Sequence, residues 1–301
     1  MVRLLFIVGF TGIVWAQSPA QQPPPANATP PGSDIYELTF DGTANGLRAA
    51  QVAPVATARG YDNQPHYLPD GRALLFTANR DGKQTDIYEF DRTSRSTRQL
   101  TRTAESEYSA TATADGAGFS VIRVEADGTQ RLWRFDRAGA NPRLVLTEIK
   151  PVGYHAWIDA DRLALFILGQ PATLQLARVG TGKAEVIARD IGRSIQRRPG
   201  GALVSIVQRE AGEFWVKSFD PATGVLTPLT RVVAGSAERD PAWLPDGTLL
   251  MSAGTRIMAW KGGDSDWREV FDVTAHQLGA VTRMTTAPDG KALAIVVAEA
   301  K

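Results

Sequence analysis

One pattern returns six times along this chain, and it dictates the fold. YLPDGRALLF covers residues 67 to 76, WLPDGTLLMS 243 to 252 and TAPDGKALAI 286 to 295. Weaker copies lie between them: ATADGAGFSV at 112 to 121, WIDADRLALF at 157 to 166 and RRPGGALVSI at 197 to 206. Aligned on Gly71, Gly116, Asp161, Gly201, Gly247 and Gly290, the copies step by 45, 45, 40, 46 and 43 residues. A near-constant period of this length marks a protein built from one repeated supersecondary unit.

Each unit reads as four antiparallel strands. Pro-Asp-Gly suits the tight turn between the first two, because Asp bonds its own backbone and Gly accepts positive φ. A third strand follows in DIYEFD at 86 to 91, RLWRFD at 131 to 136, TLQLARV at 173 to 179, EFWVKSFD at 213 to 220 and RIMAW at 256 to 260. Apolar residues recur there with period two, the mark of a half-buried strand. A fourth strand fits TRQLT at 97 to 101, RLVLT at 143 to 147 and LTPLT at 226 to 230. One such sheet cannot cover both of its faces, whereas radial stacking of several sheets does. Tyr67, Trp157 and Trp243 stand four places before their anchors and are expected to pack between sheets.

The last copy has room for two strands only, over 282 to 301. The missing half stands near the other end of the chain. DIYELTFDG at 34 to 42 matches DIYEFDRTS at 86 to 94, and LRAAQVA at 47 to 53 offers the fourth strand. Pairing the two ends completes the sheet and removes two raw edges. The expected fold is therefore all-β: a closed ring of six four-stranded antiparallel sheets over 34 to 301.

These repeats resemble the PD40-type, WD40-like repeats of the TolB family of β-propellers. That motif runs Pro, one residue, Trp, Ser, Pro, Asp, Gly. Pro241, Trp243, Pro245, Asp246 and Gly247 match it, with Leu244 in place of Ser; Pro65, Pro69, Asp70 and Gly71 match it, with Tyr67 at the Trp position. Pro288, Asp289 and Gly290 keep the end of the motif. The resemblance implies a six-bladed β-propeller, and leaves function open. TolB carries an N-terminal α/β domain, and a short proline-rich stretch stands in that place here.

The chain opens MVRLLFIVGFTGIVWAQSPA, with a basic Arg3, an apolar run from Leu4 to Trp15 and a small residue at Ala16. This is the layout of a secretory signal peptide, with cleavage expected before Gln17. A 12-residue helix would span roughly 18 Å of a hydrocarbon core about 30 Å thick, too short for an anchor. No membrane span is expected after cleavage, and the expected location is periplasmic or secreted. Residues 17 to 33, rich in Pro and Gln, cannot bury apolar surface and read as a disordered tail. Within it, Asn27-Ala28-Thr29 matches a glycosylation sequon.

Composition narrows the chemistry. With 33 Lys plus Arg against 32 Asp plus Glu, the chain lacks the basic excess of a nucleic-acid binder. It has no cysteine, which excludes disulfides, thiolate metal sites and a cysteine nucleophile. There is no G-x-S-x-G, H-E-x-x-H, Walker loop or G-x-G-x-x-G. No cofactor, metal site or catalytic residue is therefore assigned.

The candidate binding site is the channel mouth at the start of each first strand. Residues seven to nine places before the anchors, with the histidines just after them, give Asp62, Asn63, His66, Glu107, Tyr108, Tyr154, His155, Arg193, Glu238, Arg239, Asp240 and Arg283. Arg193 and Arg239 share a register and are expected close together. His276, in the loop VTAHQLGAV, could approach the same mouth. A ring of polar and aromatic groups suits recognition of an envelope protein or glycan without catalysis. The alternative is a periplasmic hydrolase or lyase acting on a polymer at that mouth, with Asp62, Glu107, His155, Arg193 and Asp240 as its acids and bases.

Overall fold

The computed structural model describes residues 30 to 41 and 48 to 299. The expected leader and most of the expected tail lie outside the described residues. Six four-stranded antiparallel sheets, or blades, follow one another around an axis. Blade 1 holds β3 (Asp62–Tyr67), β4 (Ala73–Ala78), β5 (Asp86–Asp91) and β6 (Ser96–Gln99), running from the axis outward. Blade 2 holds β7 (Ser106–Ala112), β8 (Gly118–Val124), β9 (Gln130–Asp136) and β10 (Arg143–Leu144). In blade 3 these are β11 (Val152–Trp157), β12 (Arg162–Ile167), β13 (Thr173–Arg178) and β14 (Lys183–Arg189). Blade 4 comprises β15 (Ile191–Arg197), β16 (Val204–Glu210), β17 (Glu213–Phe219) and β18 (Leu226–Arg231). Blade 5 comprises β19 (Ala242–Trp243), β20 (Leu249–Ala253), β21 (Arg256–Trp260) and β22 (Arg268–Asp272). Among the described residues the helical element is a single 3-10 turn, Val273–His276. No helix of the described residues is long and apolar enough to cross a membrane.

Blade 6 joins the two ends of the chain. Its inner strands are β23 (Val281–Thr286) and β24 (Ala292–Ala298), and its outer strands are β1 (Ser33–Asp41) and β2 (Arg48–Ala56). Ser33 pairs with Ala298 and Thr39 with Ala292, so β1 runs antiparallel along β24. The incomplete last repeat is completed as its length demanded.

Apolar burial is divided among six clusters, one at each junction between blades. Leu38, Leu250, Ile257 and Ile295 pack between blades 5 and 6. Ile35, Leu74, Phe76 and Val296 pack between blades 6 and 1. Phe119 stacks on Phe135 with ring centres 5.4 Å apart, at the junction of blades 1 and 2. In three blades an aromatic residue four places before the turn spans a junction and hydrogen-bonds into the preceding blade. Tyr67 Oη donates to Glu37 Oε1 at 2.7 Å, Trp157 Nε1 to Ser120 Oγ at 2.8 Å and Trp243 Nε1 to Ser205 Oγ at 2.7 Å. A buried indole N–H needs such a partner.

The turns after the inner strands carry positive φ at Gly71, Gly116, Gly247 and Gly290, between 67° and 82°. An added Cβ at Gly290 would also stand 3.0 Å from the ring of Pro245 in the neighbouring blade.

Candidate axial cup

The inner strands do not run evenly to their first residues. Pairing with the second strand slips between Asn63 and His66, Tyr108 and Thr111, Val152 and Tyr154, Ile191 and Ile195, and Val281 and Arg283. These bulges recur near the same end of five blades, and Gln64 and Ser109 within them take positive φ. A bulge re-aims the side chains around it. Here it selects one register. Gln64, Ser109, Tyr154, Asp240 and Arg283, each seven places before its anchor, enter the wall of the axial channel. Blade 4 has the widest slip and supplies both Ser194, at the same offset, and Arg193.

The channel is a cavity of about 700 Å³ with walls from all six blades. At its far end stand the turn residues Pro69, Ala114, Gly201, Pro245 and Pro288, all exposed. The strand-start end is barred. Arg283 Nη2 donates to Tyr154 Oη at 3.2 Å, and these residues come from blades 6 and 3, on opposite sides of the ring. The bond therefore crosses the channel and turns it into a cup, with its opening at the turn end. The sequence reading placed the binding mouth at the strand starts, the end that this bond crosses.

Charge on the floor is held in place from several sides. Arg283 Nη1 lies 3.6 Å from Asp240 Oδ2, and its side chain is 14% exposed. Burial disfavours its charge, but Tyr154, Asp240 and Tyr61 together hold its pKa above the ordinary value. Burial likewise opposes ionisation of Tyr154, yet Arg283 and then Arg193 hold that phenol below its usual range. Arg193 Nη2 bonds Glu238 Oε2 at 2.8 Å and the carbonyl of Thr282 at 3.3 Å. Five polar atoms around the floor are buried without a hydrogen-bond partner: Arg193 Nε, Arg283 Nε, Ser109 Oγ, Ser194 Oγ and His155 Nδ1.

Both His66 and His155 line the cup. Burial lowers the His66 pKa to about 4. Burial, and then the neighbouring His66, lower that of His155 to about 3. Each is a neutral imidazole at pH 7. His155 Nε2 lies 2.6 Å from Ser120 Oγ, the same hydroxyl that accepts the Trp157 N–H. Among the described residues no cluster of three or more His, Asp or Glu could hold a metal ion.

Six of the twelve residues singled out from sequence line the cup: His66, Tyr154, His155, Arg193, Asp240 and Arg283. The other six stand eight or nine places before the anchor and outside the wall. Asp62 is fully buried against Arg80, and burial raises its carboxyl to about 6 despite that arginine. Glu107 is fully buried, bonded by Thr103 and by Arg123 at 3.1 Å, and burial raises it to about 7. Asn63 accepts the Gln64 N–H at 2.7 Å and donates to Ser33. Tyr108 packs into the cluster between blades 2 and 3. Glu238 pairs with Arg193 from outside the wall. The Arg239 guanidinium lies 3.7 Å from the ring centre of Phe214 in blade 4, so Arg193 and Arg239 do not share the channel wall as their spacing suggested. His276 is also absent from the wall; its ring lies 5.6 Å from that of Phe271 on an outer strand. Gln64, Ser109 and Ser194, which fall in the same window of seven to nine places before the anchor, also line the floor, and the common offset of seven is what unites them.

Six blades, clasped by the two chain ends around a polar axial cup, define a six-bladed β-propeller with a polar cavity on its axis. No family model matches the chain, and no curated protein matches it. Solved structures do share the ring. A candidate TolB from Agrobacterium tumefaciens is 16% identical with a TM-score of 0.67, over 89% of this chain and 98% of that one. TolB from Acinetobacter baumannii is 12% identical with a TM-score of 0.57, over 89% of this chain and 65% of that longer one. Oligogalacturonate lyase from Vibrio parahaemolyticus is 14% identical with a TM-score of 0.53, over 88% and 98% of the two chains. The fold is thus that of the TolB-like six-bladed propellers.

Proposed function

We propose that this chain is an exported, non-catalytic propeller of the cell envelope that recognises a protein or glycan partner in its axial cup. The observation that carries the reading is the floor: charged side chains held from behind, with unpartnered polar atoms beside them. Such preorganisation favours binding, because little ordering remains to be done when a ligand arrives. The acids with raised pKa, Asp62 and Glu107, are tied to arginines away from the cup, where they have no access to a bound molecule. Export rests on the apolar leader, with the mature chain starting near Gln17.

The test is capture from envelope extract by the exported protein and by a Thr285→Trp variant. Thr285 lines the cup and its side chain is only partly buried, so a bulky replacement obstructs the cavity. Loss of a captured partner with an unchanged melting temperature supports the cup; equal capture by both proteins places the site elsewhere.

One observation favours a second reading. Tyr154, ionised more easily than an ordinary tyrosine, could act as a base on a polymer, as in a hydrolase or lyase. Turnover of a polysaccharide that is abolished in Tyr154→Phe would establish it.

A further inference from the structure

The cup wall is unbalanced in charge. It includes Arg193, Arg197, Arg198 and Arg283; Glu238 and Asp240 pair with Arg193 and Arg283, both histidines are neutral at pH 7, and the surplus positive charge is that of Arg197 and Arg198. A cavity with low-dielectric walls and one sign of charge draws in ions of the other sign. At the floor, the arginine tethers engage the Nη edges and leave each Nε buried without a partner. The Ser194 side chain, in a residue 5% exposed, is likewise unpartnered. Guanidinium N–H groups and hydroxyls in this arrangement match the oxygens of a carboxylate.

Shape narrows the source of that carboxylate. The Arg283–Tyr154 bar closes the floor, so a chain cannot thread through the axis, and only an end can reach the arginines. From the floor residues to the turns is five steps of an inner strand, roughly 16 Å at about 3.3 Å per residue, the length of about five extended peptide residues. Sugar recognition relies on open aromatic faces. The two tryptophans of the wall offer none. Trp157 and Trp243 are 7% and 5% exposed, and the Arg198 guanidinium covers Trp243 at 4.9 Å from a ring centre.

We propose that the floor formed by Arg193, Arg283, Ser109 and Ser194 is a receptor for the C-terminal carboxylate of a protein partner, whose last residues enter the cup from the turn end. This rests on the reading of the cup as the partner site and specifies its ligand. The serine hydroxyls then serve the carboxylate or the final peptide amide, and the open rim admits the rest of the partner.

The probe is an equimolar pool of pentapeptides with free C termini, mixed with the same pool amidated and passed over the immobilised protein. Mass spectrometry of the retained fraction gives the acid-to-amide ratio. We expect the free acids to be retained at least about tenfold over the amides. The ratio should fall toward unity in Arg193→Gln and be reduced in Ser194→Ala, which removes one hydroxyl with little risk to folding. Melting temperatures show that each variant is folded. Equal retention of acids and amides by the parent protein overturns the proposal, as does a preference for peptides with internal acids regardless of their termini. Retention of a uronate trisaccharide in place of the peptides also overturns it. If the acid preference is absent while partner capture still depends on an open cup, as judged with Thr285→Trp, the carboxylate receptor fails and the partner site stands.

Discussion

The clasp in blade 6 can be broken without touching the cup. Ile35 and Leu38 lie on β1 and are fully buried, each in a different junction cluster, one shared with blade 1 and one with blade 5. Truncating a buried Ile or Leu to Ala costs about 2–5 kcal/mol, from lost transfer energy and the cavity left behind. The two sites are three residues apart and share β24 as a neighbour, so strict additivity is not expected. Together Ile35→Ala and Leu38→Ala should cost about 5–8 kcal/mol, a large share of the roughly 5–15 kcal/mol that a folded chain holds in reserve. Urea unfolding followed by circular dichroism and by tryptophan fluorescence measures this, and coincident curves are needed before a free energy is taken. Val186→Ala and Val225→Ala are the controls: those side chains stand on exposed residues and should change stability by no more than about 0.5 kcal/mol. A loss below about 2 kcal/mol for the double variant, less than the least that one such cavity commonly costs, would refute the clasp as a source of stability. If the double variant cannot be purified folded, Leu38→Ala alone should still lose at least about 2 kcal/mol.

Other outcomes follow from single contacts. Arg239→Ala should leave partner capture unchanged and cost about 0.5–1 kcal/mol through its lost stacking on Phe214, read in the same urea experiment. Trp243→Phe removes the indole bond to Ser205 Oγ, which keeps its own bond to the Gln196 carbonyl at 3.4 Å, and should cost about 0.5–1.5 kcal/mol. His155 has a folded pKa of about 3, below its unfolded value, so its stabilising neutral form is fully favourable above pH 6.5 and loses ground as pH falls. At pH 5 that loss amounts to about 2 kcal/mol, and His155→Gln should flatten the acid limb of a plot of stability against pH by that amount. The burial-raised carboxyls of Asp62 and Glu107 act in the opposite sense. They favour folding as pH drops through about 6 for Asp62 and about 7 for Glu107, so the slope difference between parent and variant carries the information.

Much of this architecture was legible because the repeat fixes it several times over. The third strands predicted at 86 to 91 and 256 to 260 coincide with β5 and β21, and the half repeat at each end could be satisfied only by the other. The site was half legible. A strand of strict period two sends neighbouring residues to opposite faces, and counting back from the turn could not show where that alternation breaks. The bulges intervene one or two residues before the cup, which put Asn63 and Tyr108 behind the wall and brought Gln64, Ser109 and Ser194 into it, while Arg239 of the unbulged blade 5 turns to the Phe214 ring. The Arg283–Tyr154 bar is invisible for another reason. Its partners lie 129 residues apart, and the reach of one long side chain across an axis leaves no trace in any local pattern.

The six junction clusters leave the axis with almost no share in apolar packing. Apart from Tyr154, whose ring packs on Phe166 between blades 3 and 4, residues seven places before each turn are thus freed from the volume constraints that govern the rest of the ring. In this chain they are Gln, Ser, Tyr, Ser, Asp and Arg, a set with no common size or charge. Such positions can be exchanged one at a time while the blades stay in register, since the turns, clusters and clasp that hold the ring lie elsewhere. On the proposed reading of the cup as the partner site, ligand choice is then written in six residues. A library varied at those positions alone should yield folded proteins at a high rate and differ mainly in what they bind.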